Sequence, residues 1–284
     1  MLASQERTLT AADGTAISAV HFPSPSPSGT GTGTGDAASS SRESLAFVVV
    51  HGFTGNWRQD RVQKVIDRLV RWGGVIALDL RGHGKSGGAT TVGDAEVLDV
   101  AAAVVWAREL GYVRVVSVGF SLGGAVVLRE AALNAATPAA VDAVVSVSAP
   151  AFWYYRGTRI MRIAHWMVET PTGRALMRLR RTRISNRAWP EPHPVSPVEA
   201  AALLTGIPLL VVHGDADHYF PLEHPQAILE AARTATPRAD LWIEKGVGHA
   251  ESAIPVPVVD RIGAWAVEAC TAGTSSPEEQ RIGP

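Results

Sequence analysis

Cysteine is almost absent from this chain: among 284 residues only Cys270 carries a thiol, so no internal disulfide can form. A disulfide-stapled scaffold is therefore excluded, and cysteine usage gives no argument for an oxidising compartment. Long apolar runs are missing too; no stretch reaches the ~18 consecutive apolar residues that a membrane-spanning helix requires. The opening segment MLASQERTLT is polar where a secretory signal would be apolar, so a cytoplasmic location is expected. Charge of one sign is not in excess. A formal net charge of -1 gives no electrostatic reason to expect nucleic acid as a partner. Phosphate-binding loops fail on spacing. The glycines near Gly31 do not fit G-x-G-x-x-G, and Gly84-Lys85-Ser86 would need a glycine at position 79, where Asp79 stands. No cluster has metal-ligand spacing, and His83 reads as a loop residue, so neither a metal nor a cofactor is expected.

What is present is an alternation of strands and helices. Residues 8–22 read as two strands about an Asp13-Gly14 turn. Residues 24–43, rich in Pro, Gly, Ser and Thr, are expected to form a flexible surface loop. From residue 45 onward the strands LAFVVVHG (45–52), VIALDLRG (75–82), VRVVSVG (113–119), VDAVVSVSAP (141–150), PLLVVHG (208–214) and ADLWIEKG (239–246) follow one another. Helices at 59–73 and 95–110, one after Ser121, and a C-terminal helix lie between or after them. Val-rich runs alternating with helices predict a mostly parallel sheet covered on both faces. Residues 151–203 break the rhythm and read as a helical insertion, with Thr170-Pro171 as an N-cap and first-turn proline. The organisation expected is a core of 1–150 and 204–284 carrying a small helical cap at 151–203.

The strand VRVVSV runs straight into Gly119-Phe120-Ser121-Leu122-Gly123 and then into a helix. This is the G-x-S-x-G elbow in the strand–turn–helix context that lifts a serine hydroxyl clear of the backbone. A hydroxyl needs a base to become a nucleophile. His249, in the glycine-rich turn GVGHAES after the last strand, is the candidate, because an imidazole can accept and return a proton near neutral pH. The acid that would orient it lies in HGDADHYFP, where Asp215 and Asp217 compete, and either could instead cap the helix beginning near Leu222. Asp217, three residues past Gly214 and four before Pro221, is favoured.

Four motifs, HGFTGN (51–56), DLRGHGKS (79–86), GFSLGG (119–124) and the HGDAD…GVGH pair, in the order Ser121…Asp217…His249, resemble the α/β-hydrolase family. The resemblance spans nearly the whole chain apart from 24–43. It implies an α/β-hydrolase fold and a serine esterase-like activity through an acyl-enzyme. It also implies an oxyanion hole made by the backbone N–H groups of Phe53 and Leu122, and it makes 79–86 a structural turn. The substrate implied is a small-molecule acyl ester. Thioester hydrolysis, acyl transfer, and perhydrolase or C–C hydrolase chemistry are alternatives on the same site, and a non-catalytic binding module is the remaining class.

In the insertion, Ile160, Ile163 and Met167 recur at helical spacing. Trp153, Ile163, Trp166 and Met167 are expected to line an acyl pocket, against the alternative that they only pack the insertion on the core. The segment carries nine arginines and three glutamates, a net +6 against −7 for the rest of the chain. Its cluster Arg178, Arg180, Arg181 and Arg183 is either a solvated face or a means of attracting an anionic substrate or an acidic surface.

Overall fold

A computed structural model describes residues 4–24, 44–187, 189–236 and 238–272. Nearly all of the expected loop 24–43 therefore lies outside the described residues. The hairpin forms as expected from β1 (Gln5–Thr10) and β2 (Ala16–Phe22), with Gly14 at φ 82° in its turn. Then follow β3 (Leu45–Val50), α1 (Asp60–Leu69), β4 (Gly74–Leu78), α2 (Glu96–Glu109), β5 (Arg114–Phe120), α3 (Leu122–Asn134) and β6 (Ala143–Val147). The insertion supplies α4 (Arg159–Glu169), α5 (Pro171–Leu179) and α6 (Pro197–Ala201). The chain returns through β7 (Leu209–Gly214), α7 (Glu223–Ala232), β8 (Ala239–Glu244) and α8 (Val256–Ala272).

The eight strands form one sheet in the order β1-β2-β4-β3-β5-β6-β7-β8, antiparallel from β1 to β4 and parallel from there on. Side-chain alternation divides its core in two. In β3, Ala46, Val48 and Val50 face α2, α3, α6 and α7, while Leu45, Phe47 and Val49 face α1 and α8. This two-sided burial explains why the central strands read as continuous apolar runs. The stretch 75–82 leaves the sheet early, because Asp79 turns inward to accept the backbone N–H groups of Trp57 and Lys85, each at 2.9 Å. Ser86 closes the turn by donating to the Asp79 carbonyl and accepting the Ser18 N–H, so the 79–86 loop is a braced corner. In the insertion, Thr170 accepts the Gly173 N–H at 3.0 Å and Pro171 opens α5, the cap read from the sequence.

One core residue is out of character. Glu130 on α3 is fully buried, and neither carboxylate oxygen has a hydrogen-bond partner among the described residues. Burial pushes its carboxyl from 4.5 up to about 8. A folded-state value raised above the unfolded one gives stability that is full below 4.5 and is lost as pH rises through about 8. Glu130→Gln should remove that term, whose slope approaches ~1.4 kcal/mol per pH unit. In denaturant titrations at pH 5, 7 and 9 the variant should gain on the wild type as pH rises, with the gain levelling off above pH ~8. An equal difference at all three pH values would show that Glu130 is not protonated in the core.

Candidate active site

The parallel strands end on one edge of the sheet, where open α/β sheets hold their ligands. The elbow after β5 is sterically exacting. A Cβ on Gly119 would lie 2.2 Å from the Gly123 carbonyl oxygen, and one on Gly123 would lie 2.3 Å from that of Val50. Only glycines allow the strand, the turn and the first turn of α3 to approach so closely. Ser121 sits between them at φ 52°, a left-handed conformation held by its N–H bond to the Val147 carbonyl at 2.8 Å.

Ser121 Oγ lies 2.9 Å from His249 Nε2, and His249 Nδ1 lies 2.7 Å from Asp217 Oδ2. The assignment in which Nδ1–H donates to Asp217 leaves Nε2 to accept the Ser121 hydroxyl. Asp217 is buried, and its other oxygen accepts the N–H groups of Tyr219 and Phe220 at 2.7 and 3.2 Å. Burial raises its carboxyl, but the hydrogen bond to His249, that group's charge and the backbone donors together hold it below the usual carboxylate range. Asp215 makes no such contact. It is exposed and accepts the Gly246 N–H at 2.6 Å, bracing the turn that presents His249.

Two groups around this chain of contacts escaped the sequence reading. Tyr219 stacks its ring on His249 with centroids 4.0 Å apart and planes 20° from parallel. His213 lies behind the acid, with Nε2 donating to the Phe220 carbonyl at 2.9 Å and standing 3.5 Å from Asp217 Oδ2. Burial lowers the His213 imidazole below its ordinary value, which favours the neutral ring. The available signal was HYFP directly after the acid: Asp217 folds its own backbone two and three residues on, and so sets Tyr219 against the histidine.

Phe53 and Leu122 flank Ser121 in the wall of a cavity of about 530 Å³. Leu122 is the first residue of α3, so its N–H has no intrahelical acceptor. The Phe53 N–H has no hydrogen-bond partner among the described residues. The loop bearing Phe53 comes close to the serine: a Cβ on Gly52 would lie 3.2 Å from Ser121 Cβ. His51 holds that loop, with one ring nitrogen bound to the Gly52 carbonyl at 2.7 Å and Nε2 accepting the Leu80 N–H at 3.0 Å. Burial lowers it to about 4, so it is neutral and structural. His83 is likewise buried and lowered to about 4 by burial, its Nδ1 bound to the Arg81 carbonyl. Among the described residues no three His, Cys, Asp or Glu side chains gather as metal ligands would.

Trp153 lines the cavity, with its Nε1–H on the Pro194 carbonyl at 3.0 Å. Ile163, Trp166 and Met167 do not, contrary to what their spacing predicts. The wall is formed by the opposite face of α4, through Met161, Ala164, His165 and Val168. Ile163 and Trp166 are 57% and 46% exposed, and the Met167 backbone abuts Gly173 of α5. The physical reason is that α4 is apolar on two sides. The spacing 160/163/167 and the spacing 161/164/168 are the same pattern shifted by one residue, and spacing alone does not tell them apart. Arg183 also leaves its cluster: it donates to the Gly88 carbonyl at 3.0 Å and to that of Ser86, tying the insertion to the 79–88 loop.

The mostly parallel eight-stranded sheet with helices on both faces is an α/β-hydrolase fold. A family model for the alpha/beta hydrolase fold matches residues 46–158, and the sheet order with its flanking helices gives the chain that fold. Among solved structures it is similar to the Pyrococcus furiosus esterase Pf2001, at 21% identity and a TM-score of 0.68, over 95% of this chain and 93% of that one. It is also similar to Est1E from Butyrivibrio proteoclasticus with ferulic acid bound, at 19% identity and a TM-score of 0.61, over 92% of this chain and 100% of that one. A third is an α/β serine hydrolase without lid from Xanthomonas campestris, at 18% identity and a TM-score of 0.56, over 96% and 97% of the two chains. No curated protein matches the chain in sequence. Among the described residues no helix is long and apolar enough to cross a membrane.

Proposed function

We propose that this chain is a serine hydrolase that cleaves a carboxylic ester or a related acyl bond, with residues 151–203 acting as a helical cap. The observation that carries the reading is the unbroken contact from Asp217 through His249 to Ser121 Oγ, at 2.7 and 2.9 Å, opening on an apolar cavity. Ser121 Oγ attacks the acyl carbonyl carbon as its proton passes to His249 Nε2. The carbonyl electron pair moves to oxygen, where the N–H groups of Phe53 and Leu122 receive it. Such donors are each worth ~2.7–4 kcal/mol of barrier. Collapse of the tetrahedral adduct expels the alcohol, which takes the proton from the imidazolium. Water then attacks the acyl-enzyme with His249 as base, releasing the acid and restoring Ser121. Asp217 holds Nδ1–H and stabilises the imidazolium, and the Tyr219 ring face lies against that transient cation.

The cavity wall supports an apolar substrate class. Phe53, Phe152, Trp153, Trp189 and Tyr219 surround the space in front of Ser121, which suits a bulky apolar acyl or aryl group. A panel of p-nitrophenyl esters of increasing acyl length, with an aromatic acid ester included, tests this. Expected is hydrolysis whose kcat/KM rises from acetate to medium-length or aromatic acyl groups. Release of no acid from any ester, with acyl transfer to an added alcohol or thiol instead, would make the protein an acyltransferase.

A further inference from the structure

The outer side of the insertion presents an apolar surface edged with cations. Helix α4 has no buried residue at all, although an eleven-residue helix is marginal unless it packs an apolar face. Its inner side lines the cavity. Its outer side leaves Ile163 and Trp166 in solvent. Helix α5 buries Gly173 and Met177 and turns Leu176 and Leu179 outward, 43% and 82% exposed. Two consecutive helices thus expose large apolar side chains opposite their buried or cavity-lining faces.

The charge on these two helices is mostly positive, with Glu169 the one carboxylate among Arg159, Arg162, Arg174 and Arg178. Of the nine arginines in 151–203, Arg156 alone makes an ion pair among the described residues, with Glu169 at 2.6 Å. Arg159, Arg178, Arg180 and Arg181 are exposed, and their guanidinium groups have neither a carboxylate nor a carbonyl partner among the described residues. Arg178, Arg180 and Arg181 flank Leu179 in sequence, and Arg159 lies on the same side of α4 as Ile163 and Trp166. Tryptophan and leucine between unpaired arginines, on helices lying along the surface, match a bilayer interface. The apolar side chains enter the acyl boundary, and the guanidinium groups meet phosphate.

We propose that the outer face of α4 and α5 docks on an anionic lipid surface. The charge excludes a neutral apolar partner as the best fit, because uncompensated arginines gain most from a dense array of anions. The proposal does not depend on the esterase reading, since binding is measured without turnover.

The test is flotation of the full chain with vesicles of pure phosphatidylcholine and of phosphatidylcholine with phosphatidylglycerol, at low and high salt. Expected is co-flotation with the anionic vesicles alone, weakening as salt rises. Replacing Arg178, Arg180 and Arg181 by glutamine should lower the partition coefficient about a hundredfold. Trp166→Ser with Leu179→Ser should lower it by at least tenfold, with the thermal melt unchanged in both variants. Failure to float with anionic vesicles would overturn the proposal, as would flotation indifferent to both variants. Concentration-dependent dimers in sedimentation that Leu179→Ser abolishes, with no flotation, would assign the face to a second copy of the chain instead.

Discussion

Ser121→Ala should leave a folded protein whose kcat/KM for its best ester falls about 10⁴–10⁶-fold. The elbow demands little of the side chain itself. Its backbone is held by the Ser121 N–H bond to Val147 and by the two glycines that let strand and helix meet, and none of these involves the hydroxyl. The substitution therefore removes the nucleophile and little else. What remains is the oxyanion site and the cavity, which by themselves give only a residual rate over water. His249→Ala should cost about the same, and the double variant scarcely more, because the two residues act as one unit. Steady-state rates with active-site-titrated protein, alongside thermal melts, check this. A loss of less than tenfold in Ser121→Ala would mean that another nucleophile does the work.

The second large effect separates two carboxylates that lie two residues apart. Asp217→Asn keeps an oxygen for the Tyr219 and Phe220 N–H groups but can turn an amide N–H₂ toward His249 Nδ1. The imidazole then favours the tautomer with its proton on Nε2, which faces Ser121 as a donor and cannot accept the hydroxyl proton. A loss of ~10⁴ in kcat is expected. Asp215→Asn retains an oxygen that can accept the Gly246 N–H, and its site is exposed, so a change of less than about tenfold is expected. Comparing the two variants on one ester decides the matter. A larger loss in Asp215→Asn would reassign the acid.

Where the local geometry is set by short motifs, it is legible in the sequence. Gly119 and Gly123 mark the crowded elbow, and the Val-rich runs mark a two-sided core. The spacing from Gly214 to Pro221 singles out Asp217, which meets His249 at 2.7 Å. The fold class is likewise readable, because every central strand is buried on both faces. What the sequence could not resolve depends on rotation and on distant packing. The cavity-lining face of α4 differs from its exposed face by one residue of register. The stacking of Tyr219 on His249 joins two loops thirty residues apart in the chain. Arg183 looked like one more member of a basic cluster until the 79–88 loop was folded against it. Glu130, directly after Arg129 in the second half of its helix, gave no sign that its carboxyl would find no partner among the described residues.

The most direct test of the central claim is covalent labelling with a fluorophosphonate, followed by peptide mapping by mass spectrometry. Such reagents require a serine made nucleophilic by a neighbouring base, so they report the assembled site and not merely the fold. The account predicts a single adduct per chain, on the peptide carrying Ser121, forming far more slowly in Asp217→Asn and absent in Ser121→Ala. An adduct on a different serine, or a folded wild-type chain that takes up no label, would contradict it.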